Sequence, residues 1–261
     1  MYGMPDADRL HVEVHPDPAA LARHAAADVA SLLRETVSER GSANAMFATG
    51  NSQLAFVDIL VVAPEVPWPH VTVFHMDEYV GAGPDHPAGF QRWIRERISD
   101  RVAPAAAHYL DGLADPEAEC ARYEGLLRSH PIDVCVLGIG ENGHLAFNDP
   151  PVADFADRRG VKVVELDTAC RRQQVGEGHF PTIDAVPTHA MTVTVPALLR
   201  ARAVIAVVPE RRKAEPVRDA LTGPVSTSCP ASALRTHPNA TLYLDADSAA
   251  LLPTALRSAP R

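Results

Sequence analysis

The sequence has few cysteines, and none is spaced for a metal site or a redox pair. The 261 residues include four, at Cys120, Cys135, Cys170 and Cys229. No two of them form a C-x-x-C motif, and Cys135 lies inside an apolar run that indicates a strand. This pattern is typical of reduced thiols and does not match zinc-ligand spacings. We therefore expect no metal site and a cytoplasmic location.

Long apolar runs and basic clusters are also missing. No apolar run is long enough to span a bilayer, and residues 1–9 lack the apolar stretch of a signal peptide. The net charge is −9, and no basic stripe stands out, so nucleic acid and anionic membranes are not expected partners. An anionic small ligand remains compatible with this charge, because backbone N–H groups can bind an anion locally.

Apolar stretches with strand character alternate with segments of helical periodicity along the chain. In residues 16–40 the helical spacing places one apolar face at Leu21, Ala25, Val29, Leu32 and Leu33. Further helices are expected at 53–62, 87–101, 116–128, 210–221 and, for a short one, 247–251. Strands are expected at 44–48, 71–74, 161–166, 191–195, 203–208 and 241–244, and in the run that begins at residue 132. This alternation predicts one α/β domain, with a mostly parallel sheet and helices on both faces.

Two local details accompany this prediction. Ser52 is placed to cap the helix at 53–62, and the polar run at 168–187, with two glycines, indicates a loop or lid.

The most informative stretch is 132–151. A run rich in β-branched residues stops at a cluster of glycines, as a buried parallel strand does at the loop above it. Ligands of open α/β sheets bind beyond the carboxyl ends of strands, so Asn142, His144 and Asp149 would lie over a crevice. A nearby carboxylate fixes the tautomer of an imidazole and raises its basicity, which favours an acid/base pair. The alternative is a polar loop whose groups bond to one another.

The same stretch contains the dinucleotide-binding pattern G-x-G-x-x-G at Gly138, Gly140 and Gly143, with Glu165 at a suitable distance. That pattern has to open a helix, so that pyrophosphate lies at the helix N-terminus. Here only a few residues separate it from two consecutive prolines at 150–151. We therefore do not expect a dinucleotide site.

Two stretches could bind an anion. Residues 49–52 join a strand to a helix, where free N–H groups can hold a phosphate, although an ordinary turn capped by Ser52 is the more common explanation. Arg211, Arg212 and Lys213 open a later helix. Cations there oppose the helix dipole, and an anionic ligand would remove that conflict. The alternative is a solvated basic patch.

An adjacent pair of carboxylates follows the strand at 71–74. Asp77 and Glu78 cannot both point the same way, so one could face the crevice while the other anchors the loop. A carboxylate over a crevice can act as a base if partial burial raises its pKa. A solvated acidic turn is the alternative.

Together these motifs resemble the glucosamine-6-phosphate deaminase/isomerase family, within the superfamily that includes 6-phosphogluconolactonases. The matching stretches are 48–53, 74–81 and 138–150, with Lys213 in its helix, and the resemblance runs from about residue 16 to residue 252. It implies a modified Rossmann-like α/β fold in a single domain. It also implies conversion of glucosamine 6-phosphate and water to fructose 6-phosphate and ammonia, without a cofactor.

The resemblance assigns roles to individual residues. It implies that Asp77 is the base that moves a proton from C2 to C1. It implies that His144, oriented by Asn142 and Asp149, opens the sugar ring. The phosphate of the amino sugar would be held by Thr49, Gly50, Asn51, Ser52, Gln53 and Lys213.

Some positions differ from the family pattern. Asp149 stands where members usually have glutamate, which is one methylene longer. The phosphate-contacting arginine of the family has no clean match, and Arg171, Arg172 and residues 176–179 occupy its region. Residues 88–90 replace a more polar sequence at the lid helix, so the substrate could differ in its 2-substituent or ring stereochemistry.

Two other functions stay open. A phosphosugar lactonase would share Gly143 and His144, but lactonases usually have an arginine after the acidic pair and lack the sequence found here at 147–149. A sugar-phosphate-binding regulator would keep the fold without turnover, although no helix-turn-helix is appended that would support DNA binding. A homo-oligomer is compatible with the sequence, and the short C-terminus gives no support for allosteric control by an acetylated amino sugar.

Overall fold

The computed structural model describes residues 10–257, and its centre is a sheet of seven strands. In spatial order these are β1 (His11–His15), β10 (Ala240–Asp245), β9 (Ala203–Val208), β6 (Val134–Leu137), β2 (Ala43–Phe47), β3 (Val71–His75) and β5 (Ala106–His108). All neighbouring pairs run parallel. The predicted α/β fold with a mostly parallel sheet is therefore confirmed. Residues 1–9, for which the sequence predicts no signal peptide, lie outside the described residues.

Helices and short helical turns cover both faces of the sheet. The helices are α1 (Pro18–Arg40), α2 (Leu54–Leu60), α3 (Phe90–Ile94), α4 (Asp100–Val102), α5 (Pro116–Ser129), α6 (Thr168–Gly176), α7 (Val195–Leu198), α8 (Ala214–Thr222) and α9 (Thr254–Arg257). A π-helical turn, Arg95–Ser99, joins α3 to α4. Within residues 10–257 no helix combines the length and apolar character needed to cross a bilayer.

The alternation of side chains along the strands divides the core in two. Ala45 and Phe47 of β2 pack in the apolar cluster that contains the buried face of α1, whereas Met46 between them belongs to the cluster on the opposite face. Every residue of β6 and β9 is buried. Strands covered on both faces have to be apolar throughout, which is why these two were visible in the sequence as continuous apolar runs.

The first helix shows how local chemistry sets its ends. The Asp17 side chain accepts a hydrogen bond from the N–H of Ala20 at 2.7 Å, and Pro18 occupies the first turn. Gly41 closes the helix with φ 80°, a left-handed conformation that glycine adopts without steric cost. The predicted helix and its glycine stop are confirmed, with the start at Pro18.

A second sheet of three antiparallel strands lies beside the first. It contains β4 (Asp77–Tyr79), β8 (His189–Val193) and β7 (Val161–Glu165), in that order. The sequence indicates β7 and β8 as strands but does not predict this sheet or β4. Three residues are too few to show a period, and which strand pairs with which is decided by tertiary packing.

Three predictions of local structure are wrong for identifiable reasons. The polar run at 168–187 contains α6, which the side chain of Asp167 caps by accepting from the N–H of Cys170. Ser52 does not cap a helix, because it lies inside a 3₁₀ turn, Asn51–Gln53, that precedes α2. The expected short helix at 247–251 is a series of turns, in which Ser248 exchanges hydrogen bonds with Asp245.

The helix predicted at 87–101 begins later, at Phe90. Gly89 stands before it in an extended conformation, and the N–H groups of its first residues bond to a buried carboxylate described below.

Candidate active site

A pocket open to solvent lies at the carboxyl ends of four parallel strands. Its lining includes Thr49 after β2, Asp77 after β3, Gly138 after β6 and Lys213 after β9. Because parallel strands end at the same edge of a sheet, the loops that follow them meet there. The crevice that the sequence analysis places over the loop at 138–150 is therefore present.

One wall of the pocket carries an imidazole backed by a buried carboxylate. Nδ1 of His144 lies 2.8 Å from Oδ1 of Asp149, which has no exposed surface. The side-chain amide of Asn142 donates to the same oxygen at 2.9 Å, and its carbonyl oxygen accepts from the N–H of His144 at 3.1 Å. The shorter side chain of aspartate thus reaches the imidazole. Asn142 and Asp149 stand behind His144, and only His144 of the three lines the pocket.

The donors around Asp149 keep it ionised. Burial alone would raise its pKa, but the adjacent imidazole of His144, the amide of Asn142 and the backbone of Asp167 lower it below the ordinary value. An ionised Asp149 favours a proton on Nδ1 of His144. Since Nδ1 faces Asp149, Nε2 is the ring atom left to exchange protons with a bound molecule.

A thiol completes this cluster. The ligand atoms of His144, Asp149 and Cys170 lie within 4.8 Å of one another, a separation that a metal ion could bridge. Burial raises the pKa of the Cys170 thiol well above its ordinary value, and the negative charges of Asp149 and Asp167 add to that shift. Metal ligation needs the thiolate, so a metal ion bound here would have to displace the proton of this thiol.

Gly140 holds the imidazole in place from the other side. A Cβ atom at this position would lie 2.2 Å from Nε2 of His144 and 2.3 Å from its Cε1. No side chain fits in that space, so the glycine allows the ring to lie directly on the backbone. The motif at 138–143 is followed by turns and not by a helix, which agrees with the expectation that it does not bind a dinucleotide.

The acidic pair contributes one of its two carboxylates to the pocket. Asp77 lines the pocket and is 7% exposed, while Glu78 is fully buried. Oε1 of Glu78 accepts from the N–H groups of Tyr79 and Phe90, at 2.9 and 3.2 Å, and Oε2 accepts from Gln91 at 2.7 Å. Successive side chains of a strand point to opposite sides. The prediction that one carboxylate faces the crevice while the other anchors the loop is confirmed.

Both carboxyl groups bind protons more tightly than usual. Burial raises the pKa of Asp77 well above its ordinary value, and the negative charge of Glu78 adds to that shift. Burial also raises the pKa of Glu78 to about 7, against the opposing effect of its three backbone donors. Asp77 is therefore a stronger base, when ionised, than a solvated aspartate.

A third part of the pocket combines a turn of the backbone with a buried ammonium group. Thr49, Gly50 and Ser52 line it, and Gly50 has φ 98° and ψ 172°, a conformation open essentially to glycine alone. The ammonium group belongs to Lys213, which is 3% exposed and whose pKa is lowered by burial and then by Arg212.

Two other predicted phosphate contacts, Asn51 and Gln53, use their side chains for hydrogen bonds within the protein. The side-chain amide of Asn51 donates to the carbonyl oxygen of Glu177 at 3.2 Å. That of Gln53 is buried and donates to the carbonyl oxygen of Val207 in β9 at 3.1 Å. Arg211 is exposed, as the solvated alternative predicts for it.

Comparison with known proteins identifies the family of this chain. The family model described as glucosamine-6-phosphate isomerases/6-phosphogluconolactonase matches residues 16–243. The chain belongs to this family. Among curated relatives, a glucosamine-6-phosphate deaminase from Exiguobacterium sibiricum is 37% identical over 184 residues, which cover 70% of this chain and 71% of the relative. Another, from Listeria innocua, is 37% identical over 193 residues, with coverage of 74% and 80%.

Solved structures of the family share the fold. A structure described as a monomeric glucosamine-6-phosphate deaminase has a TM-score of 0.85 and 30% identity, and covers 93% of this chain and 100% of that one. A 6-phosphogluconolactonase from Shewanella baltica has a TM-score of 0.77 and covers 93% and 99% of the two chains. Its identity of 22% shows a common fold alone.

Residues 176–179 stood out in the sequence only as part of the region of the missing arginine, and α6 with the turn after it was not predicted to form one side of the pocket. Gln173, Gln174, Glu177 and His179 line the pocket there. The arginines considered for this region do not, since Arg171 donates to two backbone carbonyls, of Ile183 and Val186, and Arg172 is exposed. The polarity of this run was the available signal, and its position over the pocket depends on the fold.

Proposed function

We propose that this member of the family is a glucosamine-6-phosphate deaminase, which converts glucosamine 6-phosphate and water to fructose 6-phosphate and ammonia. One observation carries the proposal: a buried carboxylate, Asp77, a carboxylate-backed imidazole, His144, and a buried ammonium group, Lys213, line the same pocket. The curated relatives that are 37% identical bear the name of this activity. No cofactor or metal is needed for any step.

Ring opening requires a group that moves a proton between the anomeric hydroxyl and the ring oxygen. His144 can do this through Nε2, because Asp149 and Asn142 hold its other nitrogen and its backbone. Asp149 stabilises the imidazolium that forms in passing, as a buried carboxylate does for a catalytic histidine. The product of this step is the open-chain aldehyde.

Isomerisation then requires a base that takes the proton from C2 and returns it to C1. Asp77 suits this role, since burial raises its pKa and thereby strengthens the carboxylate as a base. Protonation at C1 gives an imine at C2. Water adds to that carbon, ammonia leaves, and the ketose remains, so every atom of substrate and water is accounted for.

The phosphate needs N–H groups and a cation at the far end of the pocket. The backbone turn formed by Thr49, Gly50 and Ser52 supplies the first, and Lys213 supplies the second. Asn51 and Gln53 shape this turn through their contacts with neighbouring segments. The ligand is thus a phosphorylated amino sugar, held by its phosphate with C1 and C2 between Asp77 and His144.

We also propose a cytoplasmic location, which the state of the thiols supports. Cys120, Cys135, Cys170 and Cys229 are free, as expected of a protein that works in the reducing cytoplasm.

The test is to incubate the protein separately with glucosamine 6-phosphate, galactosamine 6-phosphate and 6-phosphogluconolactone and to identify each product. We expect equimolar ammonia and fructose 6-phosphate from the first substrate. No ammonia at high enzyme concentration would refute the proposal. Hydrolysis of the lactone would then indicate a lactonase, and tight binding of the sugar phosphates without any product would indicate a regulator.

A further inference from the structure

A buried carboxylate already lies where an anionic ligand would be held. Oε1 of Glu177 accepts from Nη1 of Arg212 at 2.7 Å and from the side-chain amide of Gln173 at 2.8 Å. Its Oε2 lies 3.3 Å from Nε2 of His179 and 3.9 Å from the place that a Cβ on Gly50 would take. The side chain is 8% exposed and lines the same pocket as Lys213.

Backbone and charge both keep this carboxylate in place. The side chain of Asn51 donates to the carbonyl oxygen of Glu177, which ties the end of α6 to the turn at 49–53. Burial would raise the pKa of Glu177, but its donors, His179, Gln173 and Arg212, lower it to about 2. The group is therefore an anion at neutral pH, held by donors that suit any anion.

This anion conflicts with the proposed ligand. A phosphate bound at Gly50 and Lys213 would lie against the largely buried carboxylate of Glu177, and like charges repel more strongly when burial reduces their solvation. Arg212 has two further carboxylate partners, Glu210 at 2.6 Å and Glu141 at 3.0 Å, so it would not lose all its partners if Glu177 moved away. Within residues 10–257 no arginine lines the pocket, and Arg212 stands directly behind Glu177, whose carboxylate separates it from the pocket.

We propose that Glu177 occupies the phosphate position in the unliganded protein, and that the phosphate of the substrate displaces it and takes over Arg212 and His179 as donors. The identity of the ligand rests on the proposed function, but the exchange of one anion for another does not. Glu177 thereby sets the affinity for phosphate, and Arg212 fills the place of the arginine that the sequence analysis could not find.

The decisive variant is Glu177→Gln, which keeps the size and one acceptor oxygen but removes the charge. Isothermal titration calorimetry would measure the Kd of inorganic phosphate and of fructose 6-phosphate, which has no amino group. We expect Glu177→Gln to bind both about tenfold more tightly, because a buried like charge has been removed. Glu141→Gln is the matched control. It removes a more exposed partner of Arg212 and should leave both Kd values unchanged.

A second variant tests whether Arg212 binds the phosphate. Arg212→Gln should weaken phosphate binding if the guanidinium passes from Glu177 to the ligand. Phosphate binding that is unchanged or tighter in Arg212→Gln would overturn the proposal, and so would unchanged or weaker binding in Glu177→Gln. Far-UV circular dichroism and the melting temperature would show that each variant is folded before its affinity is compared.

Two outcomes distinguish the displacement of Glu177 from recognition of the amino group and from a failure of the proposed activity. If Glu177→Gln weakens only the binding of glucosamine 6-phosphate, Glu177 recognises the amino group and the displacement is refuted. If phosphate binds more tightly in Glu177→Gln while no ammonia is released by the unmodified protein, the displacement is supported and the proposed deaminase activity is what fails.

Discussion

Replacing Gly140 with alanine is expected to displace the imidazole of His144 while leaving the fold and the phosphate end of the pocket intact. The new Cβ would lie 2.2 Å from Nε2 and 2.4 Å from Cδ2, whereas non-bonded carbon atoms settle about 3.5 Å or more apart. Backbone strain does not arise, because Gly140 is not among the residues with positive φ. The ring has to move by about 1 Å, which breaks its 2.8 Å contact with Asp149.

The expected loss is large in rate and small in stability. A misplacement of about 1 Å costs on the order of 10²-fold, and a general acid/base contributes about 10²- to 10⁴-fold. We therefore expect kcat for ammonia release from glucosamine 6-phosphate to fall by about 10²- to 10³-fold, with KM little changed. Overpacking of this kind costs about 1–3 kcal/mol of stability, which leaves an ordinary domain folded.

Gly125→Ala is the matched control, since a Cβ there meets nothing within 4 Å and the residue lies in α5. It should leave kcat unchanged and stabilise the protein slightly, because alanine favours a helix over glycine. A folded Gly140→Ala variant with kcat near that of the unmodified protein would refute the reasoning. Either His144 would then not open the ring, or its position would not matter.

Four further predictions follow from the acidic pair and one tight turn. Asp77→Asn should lower kcat for ammonia release by at least about 10³-fold with KM retained, and near-normal turnover would contradict the role of the base. Because Asp77 must be ionised and its pKa is raised by burial and by Glu78, kcat/KM should rise with pH through an apparent pKa above that of a free aspartate. Glu78→Gln should move this rise to lower pH. The pKa of Glu78 is about 7 in the folded protein and 4.5 in its ordinary, solvated state. Between these two pH values the folded chain therefore keeps a proton that the unfolded chain has released. Urea unfolding should show stability falling from pH 5 to pH 8, and falling less in Glu78→Gln. Gly112→Ala places a Cβ 2.3 Å from the carbonyl oxygen of Ala82, and the free energy of unfolding should drop by about 1–3 kcal/mol.

The parts of the fold that could be predicted are those in which neighbouring residues carry the cause. α1 was predictable because its apolar face and its closing glycine lie within one stretch of chain. β6 and the loop after it were predictable because a buried strand needs a continuous apolar run and the turn that follows needs glycine. That one carboxylate of the pair at 77–78 faces the pocket and the other the protein interior was predictable in the same way, because side chains alternate along an extended segment.

What could not be predicted depends on residues far apart in the sequence. α6 carries a polar sequence that indicates a loop, and its far end is held by Arg212, which comes 35 residues after Glu177. β4 becomes a strand because it pairs with β8, more than a hundred residues later. In both cases the stabilising partner lies far outside the stretch of sequence from which a local pattern is read.

Residue chemistry and local spacing were enough to name the pair His144 and Asp149, the acidic pair at 77–78 and the cations at 211–213 as candidates, because each stands in a strand-to-loop motif. The resemblance to the family then singled out Asp77 and Lys213. Only the folded chain decided that their loops meet in one pocket, that Gln53 faces the core and that Glu177 faces the pocket. The physical reason is that a parallel sheet gathers the ends of strands distant in sequence, and packing selects which side chain of each loop reaches the common space.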